Sequence, residues 1–128
     1  MLHSDRAGQV VTKHHAAHYL QAHAGDENHF LRQMMQQLGL RTSLMRLKVV
    51  SVLLHTPSEI GLRAQDICAA LQRDVGVGLN RPNVYDVLRR LEAGGVVART
   101  AQRTYLITAT AVAHLSGQIH DVEHGPVV

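Results

Sequence analysis

"RPNVYDVLRRLEAGGVV", Arg81 to Val97, decides the fold. At 100° per residue, Val84, Val87, Leu88 and Leu91 fall within about 100° of one another, one apolar stripe that must dock on a core. Asp86, Arg89, Arg90 and Ala93 point the other way, and Asn83 and Tyr85 lie at the two margins. Pro82 stands in the first turn, where its missing N–H is no loss. Gly94-Gly95 stops the helix, and Val96-Val97 begins a different periodicity.

Downstream, "VVART" and "TYLIT" are short β-prone runs separated by Ala101 to Arg103, which reads as a hairpin. "TATAVAHLSGQIH" then forms a last helix with Val112, Leu115 and Ile119 on one stripe. Upstream, "VGVGLNRP" is a glycine-punctuated turn, preceded by a helix over roughly Arg63 to Asp74 with Ile67, Ala70 and Leu71 inward. Pro57 marks a loop before that helix. Ser43 is a plausible N-cap for "LMRLKVVSVLLH", where Leu44, Leu47, Val50 and Leu54 should face the core. "HFLRQMMQQLGL" is another helix, with Gly39 as its C-cap. Val10 to Ala22 can also be helical, and Gly25 to Asn28 reads as the break after it.

The order is therefore helix, helix, helix, helix, hairpin, helix, behind a polar, His-rich start. The expected fold is mainly α with a small β-hairpin: a winged helix-turn-helix with N- and C-terminal helical extensions. The expected divisions are an arm over 1–28, the winged domain over 29–108, and a helix and tail over 109–128. An aromatic content of only 3% also argues for an aliphatic, helical core rather than a β-sandwich.

The net charge is only +3, but its distribution is uneven. Between Gly39 and Leu106 ten Lys/Arg oppose five acids, whereas the flanks hold three basic and five acidic residues. The middle is +5 and the flanks are −2. Positive charge is gathered where a polyanion would feel it.

In a helix-turn-helix unit the second helix enters the major groove, and its N-terminal residues reach base edges. Arg81, Asn83, Tyr85 and Arg89 suit that role, since Arg and Asn each form two hydrogen bonds to one base edge. Arg90 shares the outer face. Arg41, Arg46, Lys48, Arg99 and Arg103 would contact phosphate or the minor groove. Double-stranded DNA is thus the expected partner and a homodimer the expected state, because one helix reads few base pairs. The last helix and the arm residues Val10, Val11, Tyr19 and Leu20 are candidates for the dimer interface or, equally, for packing on their own domain. A winged helix that serves purely as a protein-contact module is the alternative.

Three stretches carry a family resemblance. "LGLRTSLMRLKVVSVLL", "LRAQDICAAL" and "NVYDVLRRLEAGGVVAR" are similar in turn to the opening, the next helix and the Thr-Val-Tyr-Arg signature of the Fur family of metal-dependent repressors. The likeness runs from Leu38 to about Thr108. It implies a winged helix bound to an operator as a dimer, with Tyr85 reading the groove, Arg41 near the minor groove and Arg46 near phosphate. There are departures. Asp86 stands where the family has arginine and would repel phosphate, and Asn83 replaces threonine. "GLNRPN" is about two residues longer than usual, and the wing loop is shorter. The family's C-terminal dimerisation domain, with its metal sites, is expected to be missing, so metal sensing does not follow.

Ten histidines raise a metal question of their own. His14 and His18 lie four apart on one helical face and could chelate a divalent ion such as zinc; the plainer reading is solvated histidines. Cys68 reads as a small core residue. No nucleophile elbow, phosphate-cradling loop or paired-carboxylate motif occurs, so an enzyme is not expected. One cysteine, no membrane-length apolar run and nothing like a leader near Met1 point to a soluble cytoplasmic protein without an obligatory cofactor.

Overall fold

The computed structural model describes residues 13–57, 59–75 and 81–124. Helix α1 runs over 13–22 and leads through a 3-10 turn, Ala24–Asp26, into α2, Glu27–Gln37. Then come α3 (Leu44–His55), α4 (Ala64–Val75) and α5 (Arg81–Ala93). An antiparallel hairpin, β1 (Val97–Arg99) and β2 (Tyr105–Ile107), precedes α6 (Ala109–His124). Val97 pairs with Ile107, Ala98 with Leu106, and Arg99 with Tyr105. The helix order and the hairpin match the sequence reading, but α2 begins at Glu27, inside the expected break over Gly25 to Asn28. The turn at 76–80, Val10, Val11 and the side chain of Arg81 lie outside what the structure describes.

Helix α3 is central, packing on α2, α4, α5 and β2. Leu47, Val49, Val50, Leu53 and Leu54 are all buried, so it is covered over more than one stripe. Leu44, expected inward, is 61% exposed. It is the first residue of α3, and the neighbouring helices do not cover that turn. Ala70 is also less enclosed than expected, while Cys68 and Leu71 are buried beside Ile67. Ser43 caps α3 as anticipated, its side chain accepting from the Arg46 N–H at 3.2 Å.

The stops obey backbone chemistry. At the end of α5 the Gly95 N–H bonds to Glu92 O and the Val96 N–H to Leu91 O. This is the Schellman pattern, and it sets Gly95 at φ 81, a left-handed conformation that costs glycine little. Thr108 caps α6, accepting from the Ala111 N–H at 3.1 Å and donating to Gly95 O at 2.6 Å.

Sequence reasoning missed one pairing. Leu62, just before α4, forms an antiparallel bridge with Tyr105, with N···O distances of 3.1 and 2.7 Å. A Cβ on Gly61 would lie 2.5 Å from Tyr105 O, so only glycine lets the chains approach there. The bridge gives β2 a second neighbour and completes the winged-helix arrangement of three helices and a small sheet.

The described residues of both apolar stripes nominated for a dimer interface pack inside the chain. Leu20 is fully buried, and Tyr19 lies edge-on to Phe30 with ring centroids 5.9 Å apart. Val112, Leu115 and Ile119 join the same core, and α6 packs on α2. Gln118 Nε2 adds a hydrogen bond to Phe30 O at 3.1 Å. Between the terminal helices, His15 Nε2 lies 3.1 Å from Glu123 Oε1.

Glu27 ties α2 to α3. Ser51 donates to its carboxylate at 2.6 Å, and His55 pairs with the other oxygen. Partial burial pushes the Glu27 pKa up, but the His55 and Ser51 hydrogen bonds, with the charges of His55 and Lys48, outweigh it and leave it lowered. No helix among the described residues is long and apolar enough to cross a membrane.

Candidate nucleic-acid interface

Helix α5 lies as its sequence demands: Val84, Val87, Leu88 and Leu91 are buried, and Asn83, Arg89 and Arg90 are exposed. Tyr85 is 49% exposed although large and aromatic. Asp86 reaches Arg90 Nε at 3.0 Å and Arg89 at 3.7 Å. The carboxylate that interrupts the basic face is thus itself partnered along the helix. Pairs this open to water contribute about 0.5 kcal/mol or less, so a stronger anionic ligand can take the arginines over.

The wing is held by a threonine pair. Thr100 and Thr104 hydroxyls lie 2.6 Å apart, and Thr104, which is buried, also donates to Ile60 O at 2.6 Å. The Thr100 N–H bonds to Thr104 O at 2.8 Å, and the Arg103 N–H to Thr100 O at 3.0 Å. This tight loop sets Arg103 at φ 61, a left-handed conformation unusual for arginine. Its side chain is exposed.

These elements converge. Tyr85 of α5, Arg99, Gln102, Arg103 and Tyr105 of the hairpin, and Arg63 and Gln65 at the start of α4 line one open cleft of about 550 Å³. Arg63, Arg99 and Arg103 are exposed, and no ion pair holds their side chains among the described residues. Arg63 was not singled out from the sequence. The Leu62–Tyr105 bridge, immediately before it in the chain, brings it to the wing.

The other expected DNA contacts stand elsewhere. Leu40 packs against Gly94, which puts the loop containing Arg41 at the far end of α5. Arg46 is half-buried and donates from Nη1 to Arg41 O at 2.8 Å. Lys48 is half-buried on α3, and its charge acts on Glu27. His14 and His18 are exposed on α1 and line a different cleft. Among the described residues no group of three or more His, Cys, Asp or Glu is placed to hold a metal ion.

Against known proteins, residues 26–120 match the family described as Uncharacterised conserved protein UCP029502. No curated protein matches the chain. Among solved structures, a crystal structure of the Vibrio cholerae ferric uptake regulator (Fur) aligns with a TM-score of 0.49 and 25% identity, over 60% of this chain and 60% of that one.

Proposed function

We propose that this chain, which belongs to the family described as Uncharacterised conserved protein UCP029502, is a sequence-specific DNA-binding transcriptional regulator. What carries the reading is the convergence of exposed Tyr85, in the N-terminal half of α5, on a wing and a helix start bearing Arg63, Arg99 and Arg103. A duplex lying along this ridge places Asn83 and Tyr85 at base edges, while the three arginines hold phosphates on either side. Arg89 and Arg90 exchange Asp86 for phosphate as the helix seats. A single such helix reads few base pairs, so a homodimer on an inverted repeat is the expected working form.

Fluorescence anisotropy with a random duplex tests the phosphate contacts. Log affinity should fall linearly with log salt, by about 0.9 per phosphate neutralised. Selection of bound duplexes from a random pool tests the rest, and an inverted repeat among the winners would establish both half-site spacing and dimerisation.

One observation favours a second reading, a winged helix that contacts protein. Asp86 already satisfies Arg89 and Arg90 within the helix, leaving the outer face of α5 less basic than its arginines suggest. Absence of measurable duplex binding at low salt would favour this alternative.

A further inference from the structure

A second cleft, of about 530 Å³, opens between α1, the end of α3, β2 and the start of α6. Its floor is aliphatic, with Leu54, Ile107 and Val112 buried and Leu106 half-buried beside them. Lys13 stands over this floor, half-buried, and donates to Thr56 O at 3.3 Å. An ammonium has three donors, so this bond leaves further capacity for a ligand. Burial pushes the Lys13 pKa down, and the nearby charge of Glu59 only partly opposes it. Glu59 is exposed, so water screens its charge, whereas Lys13 has lost part of its hydration. The other titratable groups of the cleft are His14 and His18, both exposed, and His55, whose Nε2 is paired with Glu27.

We infer that this cleft binds a small amphipathic monocarboxylate, its carboxylate on Lys13 Nζ and its hydrocarbon body against Leu54, Ile107 and Val112. A cleft of several hundred Å³ with an apolar floor and a half-buried ammonium, whose counter-charge Glu59 is exposed and screened by water, has the usual build of a small-molecule site. The carboxylate returns to Lys13 the solvation that burial removed. A cationic amphiphile of the same length would instead meet Lys13 directly, and a neutral one would leave its donors unanswered.

The test uses the full chain and three probes of equal length, octanoate, octanol and octylamine, followed by titration calorimetry. Octanoate should bind once per chain and about tenfold more tightly than octanol, the effect expected of one charge-assisted hydrogen bond. Octylamine should bind more weakly than either. Lys13→Met should reduce octanoate to the affinity of octanol and leave octanol unchanged. Equal affinities for the three probes, no octanoate binding to the folded chain, or full octanoate affinity in Lys13→Met would each overturn the assignment. Should Lys13→Met fail to fold, Ala109→Trp at the exposed rim takes its place. It should weaken octanoate and octanol together, and unchanged affinity there would place the ligand elsewhere. The measurement needs no DNA, so its outcome is independent of the proposed regulatory role.

Discussion

Two clefts share strand β2: Tyr105 lines the basic one, and Leu106 and Ile107 line the other. Both carry positive charge, yet they suit different partners. In the basic cleft Arg63, Arg99 and Arg103 are exposed, hydrated and spread across three positions. Such a set fits a repeating anion, because each guanidinium can bind a separate phosphate while water screens their mutual repulsion. In the second cleft one half-buried ammonium stands over an aliphatic floor. Its charge acts over a short range on a single small group. Hydration of the cation, more than its sign, distinguishes the two.

The strongest challenge to that contrast is to remove the exposed cations together. Arg63→Ala, Arg99→Ala and Arg103→Ala combined should weaken duplex binding on the order of 100-fold at low salt and flatten the salt slope by roughly 2.7, with the melting temperature little changed. Anisotropy titrations at several salt concentrations read both quantities. An unchanged slope would mean that the arginines are merely solvated.

The wing's geometry is tested next. Thr104→Val keeps the shape but removes the hydrogen bonds to Ile60 O and to the Thr100 hydroxyl, and should cost about 1–3 kcal/mol in urea unfolding. A loss well below that range would show that water replaces the bonds. Arg103→Gly should have the opposite sign for stability. Relief of the left-handed arginine is worth about 1–2 kcal/mol, partly offset by the greater freedom of glycine in the unfolded chain. Duplex affinity should fall in the same variant, so a more stable protein that binds more weakly is the diagnostic result.

The smallest effect concerns pH and the contact of Glu27 with Ser51 and His55. The folded pKa of Glu27 is lowered, so its contribution is fully present above the unfolded-state value and disappears as pH falls through the folded one. Wild type should therefore exceed Glu27→Gln in stability at neutral pH, and the gap should close in acid. Urea midpoints measured across the acid range read this directly. A gap that persists unchanged in acid would assign the effect to packing.

Much of the fold was legible because its signals are local. The stripe Val84, Val87, Leu88, Leu91 needs only the helical period, and Ser43 and Gly95 act on backbone groups within a few residues of themselves. The candidate site was legible in part. Tyr85, Arg99 and Arg103 could be nominated from element order, since a wing follows its helix directly. Arg63 could not, because a one-residue bridge at Leu62 has no periodicity to reveal it. Lys48 was nominated for its charge alone, and the sequence does not reveal that this charge also acts on Glu27. The terminal stripes posed the same difficulty: an apolar helix face looks alike whether it packs on its own domain or on a partner.

By itself the sequence determined the order of the helices, the caps at Ser43 and Gly95, the buried stripe of α5, and that a hairpin follows α5. These outcomes rest on periodicity and capping, which act within one or two turns. Tertiary structure alone decided which distant cations share a cleft, which apolar stripes are covered and how deeply Lys13 is buried. Those depend on what other segments leave exposed to water, and solvent exposure is a property of the packed chain.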